Sequence, residues 1–142
     1  MKMLKIYQVD AFADRAFTGN PAAVCVLDQW LPEETMQSIA MENNLAETAL
    51  TVMESEGYHI RWFTPEVEVA LCGHATLATA FVLFNYYDFP GTVITFSSEQ
   101  SGLLSVEKGK DDLLTLDFPV DTLKEIAPVA KLNKALGIVP EK

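Results

Sequence analysis

The sequence predicts an α+β fold, a curled and mostly antiparallel sheet wrapped around a central buried helix. Three observations carry that expectation. Short runs rich in β-branched and aromatic residues recur through the first 118 residues and are separated by turn signals. Residues 74–87 read as a helix that is apolar nearly all round, and such a helix is stable only when other elements cover it. The chain of 142 residues is 49% hydrophobic, with 8 Phe, 4 Tyr and 2 Trp, enough apolar material to close a core at this size.

Taken in order, residues 4–12 (Leu-Lys-Ile-Tyr-Gln-Val-Asp-Ala-Phe) read as a strand. Gly19-Asn20-Pro21 marks the turn before a second strand at 22–27, apolar on both faces and therefore expected to be covered on both. Pro32 in a first turn, Glu33 and Glu34 at the positive end of the dipole, and Met36, Ile39 and Ala40 at helical spacing predict a surface helix ending near Asn43-Asn44. Strand-like segments follow at 48–53, 58–63 and 66–71, the middle one alternating Tyr58, Ile60 and Trp62 against His59, Arg61 and Phe63. After the buried helix, 92–97, 103–108 and 113–118 have the spacing of an antiparallel meander. From Pro119-Val120-Asp121-Thr122 onward the pattern is that of a linker. It leads to a helix-like piece containing Val129, Leu132, Ala135 and Leu136 that stops at Gly137 and Pro140. The expected organisation is one domain over 1–118, then a linker and the opening of a second domain over 119–142.

Charge narrows the function. Ten basic residues face 20 acidic ones, for a net charge of -10. Phosphate binding rests on clustered Lys and Arg, so no nucleic-acid partner is expected. Cys25 and Cys72 form no CxxC, and His59 and His74 have no ligand-like spacing to either, so no metal is expected. The N-terminal residues Met1-Lys2-Met3-Leu4 lead straight into strand-like alternation without a signal-peptide pattern, and a reducing cytoplasm is the expected compartment. The uncharged stretch between Glu68 and Asp88 is interrupted by Gly73, His74, Thr76, Thr79 and Asn85, so no membrane span is expected. GxGxxG, GxxxxGK[ST], GxSxG and HExxH are all absent, which leaves acid/base chemistry.

Three candidate residues stand at the start of the buried helix, and a fourth, Glu47, before a strand. Gly73-His74 stands where a strand turns into it, so free backbone N–H groups face whatever lies in front, a ready site for a carboxylate or oxyanion. Gly73 allows close approach, and a histidine at the positive end of a helix favours its neutral form. A plain turn glycine and core histidine fit the same spacing. Glu47 lies among small and apolar residues before a strand, where partial removal from water suits an acid/base group, although a solvent-facing glutamate fits too. Cys72 precedes the helix, a position that stabilises a thiolate, whereas Cys25 in Val24-Cys25-Val26 reads as inert core. Arg61 reads as a salt-bridge partner for an acidic group, and His59 as a surface strand residue.

Five blocks in order sharpen this reading: Val9-Asp10-Ala11-Phe12, Phe17-Thr18-Gly19-Asn20-Pro21-Ala22-Ala23-Val24, Asn44-Leu45-Ala46-Glu47-Thr48-Ala49, Arg61-Trp62-Phe63-Thr64-Pro65 and Leu71-Cys72-Gly73-His74-Ala75-Thr76-Leu77-Ala78. Together they closely resemble the PhzF-like (phenazine-biosynthesis-like) isomerase family, and Leu116-Asp117-Phe118-Pro119 looks like the end of that family's first domain. The resemblance implies a diaminopimelate epimerase-like fold, with two pseudo-symmetric domains, each a sheet curled around a helix, and the active site between them. It also implies a cofactor-independent isomerase that moves a proton between carbons of a small carboxylate substrate by general acid/base catalysis. On matching motifs, Glu47 resembles the proton-shuttling glutamate and His74 the active-site histidine. Gly73 matches the backbone that holds the substrate carboxylate, Cys72 the place of a catalytic cysteine in the epimerase relatives, and Asn20 joins the expected substrate-binding set. Ala46 stands where the family usually carries serine. The family's second half, with its Asp-Pro and Gly-Ser segment, does not occur within these residues, so a homodimer is expected to cover the exposed face. Two further readings stay open: a racemase or epimerase using Cys72, and a non-catalytic ligand-binding or interaction domain.

Overall fold

Hydrophobic alternation decides how the sheet curls and what it encloses. In the computed structural model, which describes residues 3–120 and 122–138, the strands are β1 (Tyr7–Ala11), β2 (Asn20–Leu27), β3 (Glu47–Glu54), β4 (Gly57–Phe63), β5 (Glu68–Val69), β6 (Val93–Ser98), β7 (Gly102–Lys108) and β8 (Leu114–Asp117). Helix α1 (Glu33–Asn43) lies between β2 and β3, α2 (Gly73–Tyr86) between β5 and β6, and α3 (Ala130–Leu136) follows the last strand. Met1, Lys2, Asp121 and Pro140, which entered the reading above, lie outside the described residues.

The strands run in the order β1-β2-β3-β4-β6-β7-β8, with β5 paired to β4. β2 with β3 and β4 with β6 are parallel, and the remaining pairs are antiparallel. A parallel neighbour needs a crossover, and here each crossover carries a helix. The two helices settle on opposite faces. On the inner face Ala22, Val24, Ala49, Tyr58, Ile60, Trp62, Ile94, Phe96, Leu104 and Val106 enclose α2 through Ala75, Ala78, Val82 and Leu83. On the outer face Cys25, Leu27, Leu50, Val52 and Phe63 receive Met36 and Ala40 of α1. Both faces of β2 are thus covered, as its apolar run predicts.

Three details depart from expectation. β1 pairs only from Tyr7 rather than from residue 4. β5 is confined to Glu68–Val69 instead of 66–71 because Thr64 builds a turn: its hydroxyl accepts from the N–H groups of Glu66 and Val67 and donates to the Val67 carbonyl. Those backbone groups cannot also pair in the sheet. Nor is α2 surrounded on every side, since Phe81 is 41% exposed. The sheet stays open between β1 and β8, leaving a cleft of about 1030 Å³ bordered by Leu77, Phe81, Val9 and Leu114.

Gly19 lets the chain cross close to β1, for a Cβ there would collide with the Ala11 carbonyl oxygen. Beyond β8, residues 119–129 except 121 form no helix or strand, and α3 buries none of its residues.

Candidate active site

The start of α2 and the start of β3 meet at the rim of the sheet. Glu47, the first residue of β3, stands opposite Ala22 of β2, and Ala22 belongs to the face that holds α2. The Glu47 side chain is thereby aimed toward the helix start. Cys72 caps that start with extended backbone (φ -146, ψ 112), and no side chain caps the first turn. The N–H groups of His74 and Ala75 face the Cys72 sulfur, so an anion binds this start in competition with that neutral thiol.

Three functional groups converge. His74 Nε2 lies 3.3 Å from Glu47 Oε2, and Cys72 Sγ lies 3.3 Å from His74 Nδ1. The His74 side chain is 9% exposed and that of Glu47 22%, so a nearly buried ring faces a carboxylate that solvent or substrate can reach. His74 Nε2 is buried without meeting the geometry of a hydrogen bond to any group. With a proton on Nε2 the ring points a donor at the Glu47 carboxylate. With the proton on Nδ1, shared with Cys72, the bare Nε2 faces a protonated Glu47.

The thiol departs from expectation. Burial pushes Cys72 up to about 11, the backbone N–H of Ala75 pulls the other way, and the Glu47 charge adds to the rise. Desolvation thus outweighs the helix start, and Cys72 is a thiol rather than a thiolate at neutral pH. Cys25 is fully buried and pushed up to about 12 by the same cause, in keeping with inert core.

Asn20 is exposed at the start of β2, two residues before the Ala22 that stands opposite Glu47. The two-residue period of a strand puts it on the same face, at the rim of the same site. Gly73 is half-buried, and a Cβ there would meet only Phe118 and Leu116, at 3.6 and 3.8 Å. Packing does not demand that glycine. Arg61 is engaged elsewhere: it donates to both Glu68 oxygens at 2.7 and 2.6 Å and to Glu33 at 2.8 Å. His59 is half-buried, 3.5 Å from Glu54 and edge-on to Trp30.

The sequence alone assigns Thr76 no role at the site. Its hydroxyl donates to the Cys72 carbonyl at 2.6 Å and accepts from Trp62 Nε1 at 3.1 Å, tying the helix start to β4. A threonine four residues after the cap is the signal that reveals it. The cleft beside Phe81 is a separate feature, since Glu47, Cys72 and His74 do not line it.

A curled sheet holding one helix, with a carboxyl, a thiol and an imidazole gathered at that helix's start, is a diaminopimelate epimerase-like domain. The phenazine biosynthesis-like protein family (PhzC-PhzF) matches residues 9–137, and the chain belongs to that family. An uncharacterized isomerase of Pseudomonas aeruginosa is 55% identical over 137 residues, covering 96% of this chain and 52% of that protein. The human phenazine biosynthesis-like domain-containing protein is 45% identical over 125 residues, covering 82% of this chain and 43% of its own length. Among solved structures, a PhzF family protein of Enterococcus faecalis superposes with a TM-score of 0.85 at 54% identity, covering 94% of this chain and 51% of that one. A predicted epimerase of Pseudomonas aeruginosa, 23% identical with a TM-score of 0.60, shares the fold. The chain spans about half the length of the curated relatives it matches. Among the described residues no helix is long and apolar enough to cross a membrane.

Proposed function

We propose that this chain forms one wall of a cofactor-independent isomerase that moves a proton between carbons of a small carboxylate substrate. The observation that carries the reading is the 3.3 Å approach of Glu47 Oε2 to the nearly buried Nε2 of His74 at an uncapped helix start. Glu47 takes the proton from one carbon, the electron pair of the broken C–H bond delocalises into the substrate, and the protonated Glu47 returns the proton to another carbon. His74 orients the carboxyl group in both states, because its ring proton can reside on either nitrogen with Cys72 as the second partner. The N–H groups at Gly73 and His74 hold the substrate carboxylate. Asn20 borders the same space from β2.

The second wall comes from a further domain, to which 119–142 supplies the linker and the start, and the whole assembles as a homodimer in the cytoplasm. Relatives named as isomerases support the reaction class. A racemase using Cys72 as base is less favoured, since a thiol held at about 11 yields little thiolate at neutral pH. A binding domain without catalysis would gain thermal stability from small carboxylates yet exchange no protons.

Kinetics on the complete product of the gene test the proposal. Glu47→Gln keeps the shape of the side chain and removes the base, so kcat is expected to fall by about 10²–10⁴. A Glu47→Gln enzyme with wild-type kcat overturns the assignment.

A further inference from the structure

The trio at the helix start also has the composition of a metal site, although the sequence offered no such spacing. We propose that Glu47, Cys72 and His74 bind a divalent transition metal ion of the zinc class, through one carboxylate oxygen, the sulfur and an imidazole nitrogen. One ligand atom from each lies within 4.8 Å of the other two. In tetrahedral zinc sites, with bonds of about 2.0–2.3 Å, ligand atoms stand roughly 3.3–3.7 Å apart. Glu47 faces Nε2 and Cys72 faces Nδ1, so closing the set on Nε2 requires the Cys72 side chain and the ring to turn until the sulfur reaches the Nε2 side. A second observation points the same way. His74 Nε2 is buried in a side chain only 9% exposed and faces Glu47 Oε2 at 3.3 Å without the geometry of a hydrogen bond. Metal coordination satisfies that nitrogen.

The chemistry of the donors selects the ion. Sulfur and imidazole favour zinc, cobalt or copper, whereas magnesium and calcium require more oxygen ligands than one carboxylate supplies. Binding converts the Cys72 thiol to a thiolate, its proton passing to solvent, and thiolate and carboxylate together balance the dication. Three protein ligands leave a fourth position open, the count of an accessible rather than a structural site. Glu47, 22% exposed, provides the approach.

Occupancy has a functional consequence that rests on the isomerase reading: a metal ion ties up the Glu47 carboxylate and His74, so the proton shuttle stops. Zinc then acts as a reversible inhibitor, removed by chelation.

Cobalt(II) provides the probe, titrated into the reduced, metal-free protein while absorbance is followed. The expected result is a single site with a near-ultraviolet thiolate-to-cobalt band that zinc displaces and magnesium does not. Cys72→Ser should abolish the band, and His74→Gln and Glu47→Gln should each weaken binding about tenfold or more. Cys25→Ser should leave the band in place. Circular dichroism of each variant confirms that the fold is retained, and Glu47→Gln, at the more exposed ligand, keeps the test decisive if the Cys72 variant unfolds. A folded wild-type protein with no thiolate band at saturating cobalt overturns the proposal. So does a band lost in Cys25→Ser or kept in Cys72→Ser, or undiminished affinity in Glu47→Gln. Because the readout is a spectrum, the site stands or falls apart from turnover. If the band appears while zinc leaves the isomerase rate untouched, the metal site is supported and the catalytic role of Glu47 fails.

Discussion

Replacing Thr76 by valine puts a methyl group where a hydroxyl makes two buried hydrogen bonds, with almost no change in shape. Thr76 is wholly buried and Trp62 is 1% exposed, so water cannot replace what is lost. The indole Nε1–H, 3.1 Å from the hydroxyl, becomes a buried donor without an acceptor, a cost of about 1–3 kcal/mol. The Cys72 carbonyl loses the 2.6 Å hydroxyl bond but keeps the Thr76 backbone N–H at 3.2 Å, which limits the second loss to about 0.5–1 kcal/mol. The added apolar contact returns part of this, leaving a net destabilisation of about 2 kcal/mol. In a domain of this size that corresponds to a fall in Tm of about 4–8 °C. Thr76→Ser, which keeps both bonds and loses one methyl, should cost only about 1 kcal/mol. Urea unfolding followed by tryptophan fluorescence and by far-ultraviolet circular dichroism measures all three proteins. If Thr76→Val proves as stable as wild type, or more stable than Thr76→Ser, the tie between β4 and the helix start carries no weight and the reasoning fails.

Other outcomes follow from the same site. Gly73→Ala adds a Cβ that meets Phe118 and Leu116 only at ordinary contact distance, at a position without positive φ, so stability should hold or rise by about 0.4–1 kcal/mol. If the backbone there binds the substrate carboxylate, KM should rise even as Tm does; an unchanged KM removes Gly73 from the site. The buried thiols set a pH dependence. Cys72 and Cys25 are raised from 9.0 to about 11 and about 12, so the folded state holds their protons more tightly than the unfolded one. Their contribution is fully present below about 9 and is lost as pH climbs toward 11 and 12. Tm should therefore decline above pH 9, and a Cys25→Ala, Cys72→Ala double variant should flatten that decline. In the folded protein, iodoacetamide labelling of Cys72 should climb steadily from pH 7 to pH 9; a plateau near neutral pH would reveal a stabilised thiolate instead.

Local pattern carried the sheet and the central helix well. Alternation in 58–63 sets Tyr58, Ile60 and Trp62 on one face, which proves to be the face that encloses α2, and the doubly apolar 22–27 run predicts cover on both sides, which the two helices supply. Pairing was harder to read, because the parallel neighbours β2 and β3, and β4 and β6, depend on crossovers that no short window of sequence displays. The truncation of β5 follows from one threonine hydroxyl competing for backbone groups. At the site, composition pointed to Glu47, Cys72, Gly73 and His74 one at a time. Their convergence is a tertiary fact, since Glu47 and His74 are brought together by the placement of β3 beside the start of α2. The same folding reversed the expectation for Cys72: a helix start favours a thiolate, but burial decides the balance.

Deuterium incorporation tests the central claim most directly. The complete product of the gene is incubated in deuterium oxide with small unsaturated carboxylates, and the products are read by mass spectrometry and proton NMR. Wild type should place solvent deuterium at a single carbon of the isomerised product, while Glu47→Gln should leave both isomerisation and labelling near the uncatalysed level. Equal labelling by wild type and Glu47→Gln would show that another group moves the proton, and the account built on Glu47 and His74 would be wrong.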